Sequence, residues 1–184
     1  MSEWKVRPVS VPELHRFMRH HVYKSFDDLG SSGIHLADYL VEVLVRFART
    51  ENLFPWGALS QKRLAYLVDY LLEAVAQEES AGGLRQEKNL RRQIGDFSLF
   101  MSGVFRDYVR HRGILDFYFR EGSLSYRRAA ELQRRLFEPG AARFDELAER
   151  FEELSGVLDY MSRVYFRTGR ASGRSADPFA GLDA

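Results

Sequence analysis

The chain has 184 residues and a formal net charge of +1, and its 45% hydrophobic and 29% charged residues are typical of one folded domain. It contains no cysteine, which excludes disulfides, thiolate nucleophiles and cysteine-ligated metal centres. Because its first residues lack the apolar core of a secretory signal and no apolar run is long enough to span a bilayer, we expect a cytoplasmic protein without membrane contact.

The first two helices have clear signals in the sequence. Ser10 and Glu13 match a capping box, and the apolar residues that follow recur at helical spacing until the turn-forming residues 27–33. Residues 34–49 are apolar on almost every face, which is typical of a buried helix. We therefore expect this second helix at the centre of the fold.

Two more helices are predicted in the middle of the chain. The third begins near Ser60, a suitable N-cap, and ends by Gly82. The fourth covers residues 84–111, where apolar residues alternate in steps of four and three, as they do in packed helices. Gly95 and Gly103 weaken this helix, and we expect a kink or break at one of them.

The last two helices are predicted over residues 125–137 and 142–166, and Gly122 is expected to be the C-cap of the segment before them. The final helix has the most regular heptad pattern in the chain, with an apolar seam that suits packing inside one bundle or a contact between subunits. Its seam residues, the candidate interface, are Phe144, Leu147, Phe151, Leu154, Leu158, Met161 and Tyr165.

Residues 168–184 are small, polar and rich in glycine and serine, so we expect a disordered tail after a domain of residues 1–167. No segment has the pattern of a strand. The sequence therefore predicts an all-α, single-domain bundle of about six helices.

Charge is unevenly distributed along the second half of the chain. Residues 85–137 contain twelve Lys or Arg and six Asp or Glu, whereas residues 138–160 contain two and seven. We expect these oppositely charged helix faces to neutralise one another. Arginines and aromatic residues alternate in the basic stretch, a composition that stacks on bases, but the small overall basic excess argues against nucleic-acid binding.

Metal and catalytic motifs are missing from the sequence. His35 and Asp38 are three residues apart and could share a ligand, but the chain has no Glu-x-x-His pair and no HExxH motif. It also has no phosphate-binding glycine loop and no nucleophile elbow around a serine. We therefore expect no metal or other cofactor and assign no catalytic residue.

The segment of residues 94–105 departs from ordinary helix design, because apolar side chains cover several faces and small residues are set among them. Asp96 is either the cap of a new helix that starts after Gly95, a buried carboxylate with an Arg or Tyr partner, or a contact to a ligand, and we favour the cap. If a ligand pocket exists here, its candidate residues are Asp96, Ser98, Ser102, Tyr108 and Tyr126.

Residues 95–105 read G-D-F-S-L-F-M-S-G-V-F, and residues 118–132 read YFREGSLSYRRAAEL. The second half of the chain thereby resembles a bacterial family of helical proteins with a G-D-x-x-L-F-x-x-G-x-F core. The resemblance implies a compact helical fold. It implies no catalytic residues, since the family has no established activity.

Two functions are consistent with these patterns. The first is a non-enzymatic helical module that binds a protein partner or a second copy of itself, as the heptad seam and the uneven charge indicate. The alternative is a bundle, or an enzyme, with a small-molecule pocket near Asp96. A closed apolar pocket that converges on Asp96 would favour the alternative, and an apolar surface patch would favour the interaction module.

Overall fold

The computed structural model of the protein describes residues 10–48 and 83–166. Within these ranges every regular element is helical, and no strand is present, so the predicted all-α class is confirmed. The helices are α1 (Val11–Leu29), α2 (Ala37–Ala48), α3 (Gly83–Val104), α4 (Arg106–His111), α5 (Leu115–Arg135), α6 (Ala141–Glu149) and α7 (Phe151–Met161). The predicted third helix and the predicted tail lie outside the described residues.

Two short turns complete the described chain. A 3₁₀ turn, Ile34–Leu36, leads into α2, and a π-helical turn, Ser162–Phe166, follows α7. None of the described helices is long and apolar enough to cross a bilayer.

The capping box predicted at the start of α1 is confirmed. The backbone N–H of Ser10 donates to Glu13 Oε2 at 3.0 Å, and the backbone N–H of Glu13 donates to Ser10 Oγ at 3.4 Å. The helix ends at Gly30, whose φ of 59° is in the left-handed region that glycine adopts without strain.

The most extensive contact between helices joins α3 to α5. Helix α6 packs mainly on α5, α7 packs on α3, and α1 packs on α2 and α7. The predicted burial of the second helix is confirmed, because seven of the twelve residues of α2 are buried, but the central position belongs to α3, which contacts α2, α5 and α7. The buried face of α1 contributes Met18, Val22 and Phe26 to the same core.

Gly122 is not a C-cap, contrary to the sequence prediction. It lies inside α5, where an added Cβ would be 2.2 Å from Phe151 Cζ and 2.8 Å from Ser98 Cβ. Glycine is therefore present because α3, α5 and α7 approach one another closely at this point.

The prediction of a helix break at Gly95 or Gly103 is also wrong. Helix α3 continues through both glycines, and the break occurs at Phe105, with φ −108° and ψ 28°. An added Cβ would lie 2.6 Å from the Tyr126 ring at Gly95 and 2.5 Å from Leu158 Cβ at Gly103. These glycines, like Gly122, allow helices to pack closely.

The predicted helix over residues 142–166 is interrupted at Arg150, so that α6 can pack on α5 and α7 on α3. Of the seam residues, Tyr165 is half-buried and donates a hydrogen bond to Asp28. The other six are buried in the core: Phe144, Leu147, Phe151, Leu154, Leu158 and Met161. The seam therefore packs inside the bundle and is not a contact between subunits. The assignment of these six side chains to a subunit interface was wrong, because the chain's own helices cover them.

Ion pairs connect the basic and acidic stretches, as the charge pattern predicts. They join Arg85 and Lys88 to Glu138, Arg134 to Asp145, and Arg106 to Asp159. The uneven charge along the sequence is thus partly neutralised within the folded chain.

Replacing Gly122 with alanine tests the close packing of α3, α5 and α7. We expect Gly122→Ala to lower the free energy of unfolding by roughly 1–3 kcal/mol, because the new methyl group overlaps buried atoms. In the matched control Gly156→Ala, inside α7, the new Cβ meets no atom within 4 Å, and stability should rise by roughly 0.5–1 kcal/mol. Denaturant unfolding measures both, and equal effects would contradict the packing.

Candidate functional site

Asp96 is the one carboxylate of the predicted site, and it has no solvent exposure. It lies well inside α3, which begins at Gly83 and continues through Gly95. The prediction that Asp96 caps a new helix is therefore wrong, because no helix begins at Gly95. A carboxylate in this position must receive hydrogen bonds from the rest of the chain.

Asp96 accepts hydrogen bonds from side chains on two other helices. It also has an ion-pair partner on its own helix. The hydroxyls of Tyr39 on α2 and Tyr126 on α5 donate to Oδ1 at 2.5 and 2.8 Å. Arg46 on α2 donates through Nη1 to Oδ2, and Arg92, one turn earlier on α3, has its Nε 3.6 Å from Oδ2. We call these five residues the Asp96 network; it joins α2, α3 and α5.

The two tyrosines of the Asp96 network are held in their protonated form. Burial raises the pKa of Tyr39 and of Tyr126 well above that of an exposed tyrosine, and the negative charge of Asp96 raises both further. Both phenols therefore remain hydrogen-bond donors to the carboxylate at physiological pH.

Aromatic rings enclose the network. Tyr126 stacks on Phe144 at 6.0 Å between ring centroids, and its ring is also 6.0 Å from that of Phe151. Tyr39 meets Phe144 edge to face at 6.2 Å. Surroundings of this kind exclude water, and the low local dielectric strengthens the hydrogen bonds to Asp96.

The structure unites only two of the five residues predicted to form a ligand pocket, Asp96 and Tyr126. Ser102 lies about 9 Å further along α3, by the rise of an α-helix, and accepts a hydrogen bond from Ser155 of α7 at 2.9 Å. Tyr108 is on α4, beyond the break in the chain, where the Arg112 guanidinium lies 5.3 Å from its ring centroid.

Ser98, the remaining candidate, is buried beside Gly122, and its hydroxyl has no hydrogen-bond partner among the described residues. The sequence patterns do not predict Tyr39, Arg46 or Arg92 at this site. The sequence contains one signal for these partners of Asp96. Arg46 is one of only three polar residues inside an otherwise apolar helix.

The structure separates the histidine and aspartate that were considered as a metal-binding pair. His35 Nε2 lies 2.7 Å from Glu146, whereas Asp38 accepts a hydrogen bond from Tyr23 at 3.0 Å and pairs with Arg19. Across residues 10–48 and 83–166, no three potential metal ligands of the His, Cys, Asp or Glu type come together.

A second candidate site is on the surface of α1. It is an open depression of about 700 Å³ beside the 3₁₀ turn, and its lining residues are Arg16, Arg19, His20, Tyr23, Lys24, Asp27 and Ile34. The described part of the chain has six large hydrophobic side chains that are exposed, and four of them lie on α1 or the turn after it: Val11, Phe17, Leu29 and Ile34.

We found no match of the chain to a protein-family model, to a curated protein or to a solved structure. The resemblance of residues 95–105 to a bacterial helical family stays a prediction.

Neutralising Asp96 tests whether its charge is structural. We expect Asp96→Asn to lower the free energy of unfolding by roughly 1–3 kcal/mol, because the buried hydroxyls of Tyr39 and Tyr126 and the partly exposed guanidinium of Arg46 lose their charged acceptor. Asp116→Asn, the same change at an exposed position in the first turn of α5, should cost less than about 1 kcal/mol, which is the usual contribution of a carboxylate near a helix N-terminus. Chemical denaturation compares the two, and an Asp96→Asn protein as stable as the control would show that the charge has no structural role.

Proposed function

We propose that the chain is a non-enzymatic helical module that binds a protein partner along the exposed face of α1. The observation that carries this proposal is the open depression on α1, which is lined by several cations and by the exposed apolar side chain of Ile34. The depression beside Ile34 gives such a partner a concave place to bind.

The charges of this surface indicate the chemistry of the partner. The depression is lined by three cations, Arg16, Arg19 and Lys24, and by one carboxylate, Asp27. Outside it, Asp38 pairs with Arg19 and Asp28 pairs with Lys24, whereas Arg16 forms no ion pair with the described residues. A peptide or helix with an apolar side chain next to acidic residues complements this surface.

The Asp96 network favours binding over catalysis. A catalytic acid or base must reach a substrate, but Asp96 is fully buried and already accepts hydrogen bonds from Tyr39, Tyr126 and Arg46. Its geometry supports a role in holding helices together. The surface of α1 is therefore the better-supported place for a function.

Site-specific photocrosslinking in the native host tests the proposal. A photoreactive amino acid at Arg16, His20 or Tyr23 should give a discrete crosslinked product, because these side chains line the proposed surface. The control positions are Arg127 and Glu131 on α5, where the same probe should give none.

The product from the probe at His20 or Tyr23 should disappear when Arg16 and Lys24 are both changed to Glu, while the helical content measured by circular dichroism stays the same. A product of twice the chain's mass would identify the partner as a second copy. Crosslinks of equal yield from α1 and α5, or none from either, would contradict the proposal.

A further inference from the structure

The π-helical turn after α7 is held against α1 by aromatic stacking. The ring of Tyr165 stacks on the imidazole of His21 with 4.7 Å between ring centroids, and Phe166 stacks on Phe17 at 5.9 Å. Phe17 also meets His21 edge to face at 4.4 Å. We call Phe17, His21, Tyr165 and Phe166 the aromatic clasp. His21 is the member that can gain a charge near neutral pH.

A carboxylate near the end of α1 anchors the turn beside the clasp. Asp28 accepts hydrogen bonds from the hydroxyl of Tyr165 and, at 3.2 Å, from that of Tyr160 on α7. The Nζ of Lys24 lies 3.3 Å from Asp28 Oδ1 and 5.9 Å from the centroid of the Tyr165 ring. These contacts fix the ring of Tyr165 over His21 from its hydroxyl end.

His21 fits this place best as a neutral imidazole. Its Nδ1 is buried and has no hydrogen-bond partner among the described residues. In the imidazolium both ring nitrogens carry a hydrogen, so this nitrogen would become a charged donor without an acceptor. A buried charged donor of that kind destabilises the state that buries it.

Neighbouring positive charges on α1 also oppose the proton. The ring of His20 lies 5.0 Å from that of His21, and Lys24 is three residues further along the helix. Burial lowers the pKa of His21 below its ordinary value of 6.5, and the charges of His20 and Lys24 lower it further. Because the docked form holds the proton less tightly than a free histidine, docking is strongest above pH 6.5 and weakens as the pH falls below it.

Carboxylates on the elements around the clasp are already bound to other groups. Asp28 is occupied by Lys24 and the two phenols. The other ion pairs on these elements join Asp159 to Arg163 of the turn and Asp38 of α2 to Arg19. None of these carboxylates is bonded to His21 to compensate a positive charge there.

We infer that the aromatic clasp is a pH-sensitive device, in which the π-helical turn is docked on α1 while His21 is neutral and is released when His21 binds a proton. Release uncovers Phe17 and His21, which are next in sequence to Arg16 and His20 of the depression on α1. Acid therefore enlarges the exposed apolar surface of α1. The clasp forms within one chain, so the inference does not depend on the proposed partner.

Fluorine NMR of the full chain, with 4-fluorophenylalanine in place of Phe166, tests the inference. The probe reports on the stack with Phe17 and does not itself titrate. We expect its resonance to move toward the solvent-exposed position as the pH is lowered from about 7.5 to about 5, while the helical content measured by circular dichroism stays the same. The hydrogen bond from Tyr165 lowers the pKa of Asp28 below 3.8, so that carboxylate stays charged throughout the titration.

Variants of two histidines on α1 separate His21 from its surroundings. His21→Phe keeps an aromatic ring but cannot be protonated, so the turn should stay docked and the pH-dependent shift should be lost. His21→Gln also cannot titrate in this range, and its resonance should likewise not move with pH even if the larger ring of the first variant does not fit. The matched control His15→Gln removes an exposed histidine and should leave the midpoint of the shift unchanged.

Several results would overturn the inference. One is a resonance that keeps its docked position down to about pH 5, where an exposed histidine is fully charged. Another is a pH-dependent shift that persists in both His21 variants, since a different group would then bind the proton. Loss of the shift in His15→Gln as well would show a general charge effect. A fall in helical content together with the shift would show that the domain unfolds and that the turn is not released separately.

Discussion

A carboxylate that is buried away from water must receive its hydrogen bonds from the protein, and in this chain that constraint fixes how three helices meet. Asp96 on α3 is served by Tyr39 and Arg46 from α2 and by Tyr126 from α5. Moving any one of these helices would leave a charge or a phenol unpaired in a low-dielectric core, at a cost of several kcal/mol. The apolar contacts around the network therefore have to accommodate its geometry.

Close helix packing and the Asp96 network depend on each other through Tyr126. Its ring lies where a side chain at Gly95 would be, and its hydroxyl donates to Asp96, the next residue. Any larger residue at Gly95 would displace the donor together with the ring. Gly103 and Gly122 produce similarly close contacts with Leu158 and Phe151. Gly95 thus lets Tyr126 come within hydrogen-bonding distance of Asp96.

Local patterns predicted two features of this fold correctly. The capping box of α1 and the burial of α2 follow from residue spacing alone. The break at Arg150 could not be predicted in this way, because a heptad pattern reports an apolar face and not whether one helix continues. The partners of Asp96 were missed for a related reason: Tyr39 and Arg46 lie 57 and 50 residues away in the chain. Only the tertiary fold brings them together.

The charge of Asp96 holds α2 against α3 through Arg46. A double-mutant cycle measures this most directly, with the free energy of unfolding determined for Asp96→Asn, Arg46→Gln and the double variant. We expect the double variant to be less destabilised than the sum of the single variants, with a coupling energy of about 1–3 kcal/mol. Strictly additive losses would contradict the claim, because they would show that the two side chains contribute to stability independently.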